Sequence, residues 1–575
     1  MKLFKKIALA MIVLSMAACA DLDELLINPN GVDPTRADAV SLYNSVQLNF
    51  RNVANSGAVW GFAGGLARQR AEIGGFTYEA THGPTEFSGL WDDVYADLFP
   101  DIDAYIAIAE PLGLRTEVAS AKIMKAYSLM LLVDLFGGVP LSQAGQGQDG
   151  VTNPGDDTGP EVYAAAVALL DEAITQLTGA SNMTSGVFDN FYGGNAANWA
   201  RAAKTFKLRA AVTTRLVNGA GGVETVNSIF AENDFISSNN RNFEFKYGTN
   251  RNVPNNRHPF YNDSYEADDG VYQSNWYMWL LAESKGFEDP RTRFYFYRQE
   301  TDILSAIDDD PDAFDCIFTR VPQEDFLPEH YAAVSPDMPY CLGSYSKGYF
   351  GRDHLNGSGI PPDGQIRTVY GLYPGGGKFD NGIRDGDVQN NGVDGGLGAG
   401  IAPIWQASFS HFILAEAILT MGATGDARAR LQSGMELSHA RVRSFRSLID
   451  EGEVLATVPT TVTVANTIPA DSTVTNYVNF VLAEYDAATS DEERLGIVAR
   501  EYLIALWGNP IEGYNLYRRT CLPAAIQPGI DPNSGPFIRS ALYPAVHINL
   551  NQNATQKTSF TEPVFWDTNP ASCNY

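Results

Sequence analysis

Residues 121–144, AKIMKAYSLMLLVDLFGGVPLSQA, constrain the fold more than any other stretch, because a helical apolar pattern runs directly into Gly137-Gly138 and then Pro140. Ala121, Met124, Ala126, Leu129, Leu132, Val133 and Phe136 recur at helical spacing, which predicts a helix with one broad apolar face packed on neighbouring helices. A glycine can take the left-handed conformation that closes a helix, and Pro140 keeps the helix from resuming. Helical periodicity is also clear over 36–52, 87–110, 115–136, 160–178, 196–217, 404–421, 425–444, 474–487 and 491–518, whereas strand-like runs are few and short. The chain therefore reads as mainly α, with consecutive helices stacked in pairs across short turns.

Between about 235 and 403 the character changes: Gly, Asn, Asp, Pro and aromatics predominate, punctuated by turn signals such as Asn356-Gly357, Pro362-Asp363-Gly364 and Asp380-Asn381-Gly382. Long loops of this kind usually carry function. No Ser- or Pro-rich linker divides the 575 residues, so the expectation is one large, loop-rich unit. Forty Lys and Arg against 68 Asp and Glu give a formal charge of −28. A nucleic-acid partner is thereby nearly excluded, since phosphate binding needs a concentrated basic surface, and acidic polysaccharides are disfavoured for the same reason.

Lys2, Lys5 and Lys6 precede the apolar run 7–16, and Ala17-Ala18-Cys19 follows it. The run is too short to span a bilayer, and the whole reads as an export signal over 1–18 ending in a lipoprotein cleavage site, with Met16 where Leu is commoner. The plainer reading is a soluble-secretion signal; what favours lipidation is the position of Cys19. Removing the signal takes three lysines and no acid, so −28 becomes −31 for residues 19–575. Cys316, Cys341, Cys521 and Cys573 remain, an even number that suggests disulfides in an exported chain. Three pairings are open, and Cys316 with Cys341 and Cys521 with Cys573 close the shortest loops.

The stretch containing Ile123, Ala126-Tyr127, Asp134, Phe136-Gly137 and Val139-Pro140 resembles a signature of the SusD/RagB-like lipoproteins, which capture glycans or other nutrients on bacterial surfaces. Four further segments in the same order extend the resemblance: Asp289-Pro290-Arg291; Ala415-Glu416-Ala417 within 409–422; Glu512-Gly513-Tyr514 followed by Arg518-Arg519-Thr520; and Tyr543-Pro544 with Phe565-Trp566-Asp567. Tyr514 stands where Trp is common, and His547 where a Glu often follows the Tyr-Pro pair. The resemblance implies a tetratricopeptide-like helix-pair superhelix with a large loop-rich insertion carrying a few short strands. It also implies a place on the outer leaflet of the outer membrane, facing out, beneath which a SusC-like TonB-dependent transporter receives the ligand. The acidic residues Asp21, Asp23 and Glu24 just after Cys19 are similar to the surface-export signal of such lipoproteins.

Sugar rings present flat C–H faces edged by hydroxyls, so a glycan site needs aromatic platforms flanked by polar side chains. Trp276 and Trp279 would share a face on a helix and are candidates, although both could equally staple that helix to the core. Trp60 and Tyr78 lie in a Gly-rich connection that contributes ligand contacts in the resembled family. Arg352 and Asp353 offer bidentate hydrogen bonding to hydroxyls, or else brace a long loop internally. Trp91, Tyr95, Trp405, Trp507 and Trp566 fall in or beside scaffold segments and are assigned to packing. Asp380, Asp385, Asp387, Asn390 and Asp394 could supply calcium with oxygens but lack the closing Glu of an EF-hand loop, so no cofactor is expected.

No Gly-x-Ser-x-Gly elbow, His-Glu-x-x-His helix or Walker loop occurs, and the seven histidines lack ligand spacing. The expectation is therefore capture rather than catalysis, of a neutral glycan such as a β-glucan, with a RagB-like peptide binder as the alternative. The anchor is directly testable: Cys19→Ala should abolish palmitate labelling and move the chain out of the membrane fraction. Labelling that persists in the variant would remove lipidation at this position.

Overall fold

The computed structural model describes residues 38–575 except 185, 268–270, 304–326, 342–346, 358–365, 384–387, 389–390, 458–459, 571–572 and 574–575. Thus Cys19, Cys316, Asp385, Asp387 and Asn390 lie outside the described residues. The longer helices of the first half are α1 (Ala39–Ala54), α2 (Gly57–Leu66), α3 (Phe99–Ala109), α4 (Arg115–Phe136), α5 (Gly159–Leu177), α6 (Ala196–Thr213) and α7 (Arg215–Glu232). After the loop-rich region come α8 (Ala407–Met421), α9 (Ala427–Arg443), α10 (Asp471–Ala487), α11 (Asp491–Ala505) and α12 (Pro510–Thr520).

Many of the starts are fixed by side chains that satisfy otherwise unpaired backbone N–H groups. Asp38, Asn195, Asp426, Ser490 and Asn509 each accept from the first turn of α1, α6, α9, α11 and α12. Thr158 and Glu161 form a reciprocal capping box on α5. Consecutive helices then pack as pairs, α4 on α5, α6 on α7 and α8 on α9.

At α4 the structure goes beyond the one-sided apolar face read from its spacing. All of its residues except Arg115 and Lys125 are buried, so it runs through the protein interior rather than along its surface. It stops at Gly137, whose φ of 91° is a conformation that favours glycine. Two other expectations are corrected. The segment 491–518 is two helices, because Gly508 takes φ 95° and Pro510 begins a new helix under the Asn509 cap. The Gly-rich stretch around Trp60 is a helix, α2, whose small residues let it lie close against α12.

The loop-rich region is tied back to its own beginning by an antiparallel ladder between Phe243–Lys246 and Ile401–Trp405, in which Phe243 faces Trp405 and Lys246 faces Ile401. A second short ladder pairs Phe296–Arg298 with Thr368–Tyr370. Cys521 and Cys573 form the expected disulfide, which fastens the C-terminal segment to the end of α12. Cys341 is disulfide-bonded as well.

Buried ions bind the two helical halves together. Asp134 near the end of α4 accepts from Arg209 on α6 at 2.6 Å, from Asn515 on α12 at 2.8 Å and from the Trp566 indole at 3.0 Å. Arg209 also meets Glu512 of α12 at 2.6 Å. A second cluster repeats the device, and a third ties the loop-rich region to α11 in the same way. Glu416 is gripped by Arg519 at 2.8 and 2.9 Å and by Arg215 at 3.1 Å, and Asp289 is gripped by Arg291, which reaches on to Glu501 at 3.2 Å. Removing one partner strands buried charges, so Arg209→Met should cost about 3–5 kcal/mol of unfolding free energy. The exposed Arg428–Asp486 pair sets the contrast, and Arg428→Ala should cost less than about 1 kcal/mol in the same urea titration. Equal effects would show that the buried ions do not join the halves.

Candidate functional site

The helix Asn275–Ala282 carries two of the six residues that the sequence suggests for ligand contact. Ser274 caps it, and Trp276 and Trp279 stand one turn apart. Trp276 turns inward, only 1% exposed, and its indole N–H donates to the Ala525 carbonyl at 3.0 Å. Trp279 is half-buried at the edge of the core. Trp60 donates to the Tyr370 hydroxyl at 2.7 Å, and its ring packs against Phe260 and Trp507 with centroids 4.6 and 5.5 Å away.

The segment after Tyr349 passes alongside this helix. Arg352 is buried, pairs through its backbone with Ser274, and lays its guanidinium over the Tyr272 ring at 4.9 Å. Asp353 accepts from the Cys341 backbone N–H at 2.6 Å, from Asn275 at 3.1 Å and from Gln527 at 2.9 Å. Burial pushes the Asp353 carboxyl up in pKa, against those hydrogen bonds. Tyr78 is buried between Arg68 at 3.2 Å and His354 at 3.0 Å. The expectation of an open platform is thereby corrected for Trp60, Tyr78, Trp276, Arg352 and Asp353. Loop sequences rich in aromatics and polar groups look alike whether they face a ligand or one another, and here the side-chain polar atoms of Trp60, Tyr78, Trp276 and Asp353 find partners inside. Trp91, Trp405, Trp507 and Trp566 are buried and Tyr95 is partly buried, in keeping with their assignment to packing. Asp380 is engaged by Arg298 at 2.6 and 2.9 Å, a commitment that competes with calcium.

Clefts on the open surface of the described residues are alternatives, and three of them have aromatic side chains in their walls. One, of about 570 Å³, is lined by Tyr163, Val167, Ala210 and Phe565 and has the Lys207–Asp171 pair on its wall. A smaller one, of about 270 Å³, lies by Phe379, Asn381, Asp394 and Asp450. The third, of about 500 Å³, lies between residues 188–198 and 239–246 and differs in chemistry, with Asn190, Asn198, Asn239 and Asn240 beside Phe188 and Tyr192. Its signal in the sequence is the pair of Asn-aromatic runs Asp189-Asn190-Phe191-Tyr192 and Asn239-Asn240-Arg241-Asn242-Phe243. Neither run contains Trp, so a search led by tryptophan passes over both.

One titratable cluster braces the connection after α2. His82 meets Glu72 at 2.9 Å and Glu86 at 3.0 Å. Burial opposes an imidazolium, but Glu72 and then Glu86 outweigh it and raise His82 from 6.5 to about 10. A raised histidine stabilises the fold fully below its unfolded pKa and loses that contribution as pH climbs through the folded one. The stability advantage of the native protein over His82→Gln should therefore shrink between about pH 6.5 and about pH 10, measured by thermal unfolding. A pH-independent difference would show that His82 is not held charged.

Residues 34–308 match the family described as SusD-like, starch-binding and associating with the outer membrane. No curated protein sequence matches the chain. Among solved structures, a SusD/RagB family protein from Bacteroides thetaiotaomicron superposes with a TM-score of 0.66 at 17% identity, covering 93% of this chain and 100% of the other. A chitin-binding protein gives 0.64 at 18% identity over 92% and 100% of the two chains. An outer-membrane protein of Bacteroides vulgatus, described as involved in nutrient binding, gives 0.62 at 16% identity over 92% and 99%. Similarity at that level of identity carries the fold, and the sequence match carries the resemblance over residues 34–308. The chain thus has the fold of SusD/RagB-like proteins over most of its length, and its residues 34–308 match the SusD-like family.

Proposed function

We propose that the protein is a lipid-anchored, outward-facing lipoprotein of the outer membrane that captures a neutral glycan and passes it to a SusC-like TonB-dependent transporter. The observation that carries this reading is the match of residues 34–308 to a family described as starch-binding and associating with the outer membrane. The chitin-binding structural relative supports a carbohydrate ligand, and the export signal with Cys19 and the acidic residues after it supports the location.

Binding rather than turnover fits the disposition of the acids. Glycoside cleavage needs two carboxylates held across a bond. Asp134, Asp289, Glu416, Glu501 and Glu512 are instead clamped by guanidinium groups in the interior. A formal charge of −28 favours an uncharged polymer over an acidic one.

The test is a binding screen of the full chain in detergent against neutral polysaccharides, acidic polysaccharides and peptide pools. Saturable binding to a neutral glycan, little changed between low and physiological salt, is expected, because no ion pair forms with the ligand. Binding confined to peptides would replace this reading with a RagB-like peptide carrier, and steep salt dependence would point to an acidic ligand.

A further inference from the structure

The cleft between residues 188–198 and 239–246 is built before any ligand arrives. Gln47, buried on α1, donates to the Phe188 carbonyl at 2.8 Å and accepts from both the backbone and side-chain amides of Asn190 at 2.8 and 3.2 Å. Asp189 is buried beneath the loop, where it accepts from Phe191 N at 2.9 Å, Gly194 N at 2.8 Å and the Trp199 indole at 2.9 Å. Tyr192 stacks on Phe243 with centroids 5.6 Å apart and donates to the Arg241 carbonyl, which joins the two walls. A lip fixed in this way loses little freedom on binding.

Phe188 stands on that fixed lip with 66% of its surface exposed. A lone exposed apolar residue needs no explanation, but this one borders a cavity of about 500 Å³, within the range of about 300–1,000 Å³ typical of small-ligand sites. The polar groups around it are half-used. The side-chain oxygen of Asn198 accepts from Arg201 at 3.0 Å and that of Asn240 from Ser238 at 2.7 Å, so each retains an uncommitted NH2 group. Asn190 spends its NH2 on Gln47 and retains its oxygen. Donors and an acceptor beside an exposed ring match a sugar, whose hydroxyls do both and whose C–H face is apolar.

Charges of both signs line the cleft, the exposed Lys246 together with Glu244 and Asp189. Arg441 holds Glu244 at 2.7 and 3.1 Å, and Asp189 is wrapped in N–H donors, so neither presents an unsatisfied carboxylate to the cleft. From these observations, and resting on the glycan-capture reading above, we propose that this cleft is a binding site for a neutral oligosaccharide. Phe188 is the stacking platform, and Asn190, Asn198 and Asn240 hydrogen-bond the ring hydroxyls. The site lies on the helical scaffold and the edge of the first strand, and no residue of the helix 275–282 lines it.

The experiment is isothermal titration of the full chain in detergent with maltoheptaose, cellohexaose, chitohexaose and an oligogalacturonate. The variants are Phe188→Ala, Phe188→Trp and Asn198→Ala/Asn240→Ala, with Leu550→Ser as a control for removal of an exposed apolar side chain. At least one neutral oligosaccharide should bind, weakened about tenfold or more by Phe188→Ala and by the double asparagine variant. Phe188→Trp should retain binding and Leu550→Ser should leave it unchanged. Neutral binding that survives both cleft variants would overturn this site while leaving glycan capture standing. Binding of oligogalacturonate alone would overturn the neutral assignment. Failure of all four sugars would overturn the site and the capture reading together.

Discussion

Asp134 is the point on which the architecture turns. It lies near the end of the interior helix α4, and one carboxylate answers Arg209, Asn515 and the Trp566 indole, residues that arrive from the middle and the far end of the chain. Arg518 lays its guanidinium over Trp566 and Tyr514 at 4.7 and 3.8 Å and donates to the backbone carbonyl of Asp134 itself. A charge at that depth is tolerable only when every lone pair is met. The C-terminal helices therefore have few places to go: a displacement of α12 would uncover Asp134, Arg209 and Glu512 at once. Ions used in this way specify an arrangement more than they add stability.

The same observation explains why the family was legible in the sequence while the ligand was not. Among the residues that carry the resemblance, Asp134, Asp289, Arg291, Glu416, Glu512 and Arg519 belong to the buried ionic clusters. Motifs drawn from such clusters report how helices are joined. They say nothing about what rests on the surface. The two departures from the resembled pattern are absorbed locally: Tyr514 donates to the Ile538 carbonyl at 2.8 Å, and His547 packs on Trp91 and meets Asp156 at 3.1 Å.

Periodicity located most of the helices within a few residues because an apolar stripe is needed wherever a helix meets a core. It missed most of α7, of which only the first residues fall in the run 196–217, and it failed in two further informative ways. The helix Gly57–Leu66 has small residues where a stripe would be read, since close approach to α12 is what they serve. At 508–510 the apolar pattern runs on across a break, because both flanking helices are buried there and only Gly508 and Pro510 mark the joint. Trp276 shows the limit for the site. Residue type and helical spacing allowed either a platform or a staple, and the deciding fact is a hydrogen bond to Ala525, 249 residues away.

Fold and ligand specificity are separable in this protein for a physical reason. The scaffold's specificity resides in ions and aromatic rings that are sealed from solvent, so substitutions at the surface leave it untouched. That is how structures at 16–18% identity can share the fold over nearly the whole chain. A ligand must be recognised by groups that can still be reached and bonded in the folded state, and the candidate residues read from the sequence are mostly buried and bonded to one another or to the scaffold. Trp60 is bonded to Tyr370, Tyr78 lies between Arg68 and His354, and Asp353 accepts from three donors. Richness in aromatic and polar residues therefore measures how much chemistry a segment contains. What the segment can offer a partner is the remainder after internal bonding, and that remainder is found where half-used asparagines and an exposed ring border an open cleft.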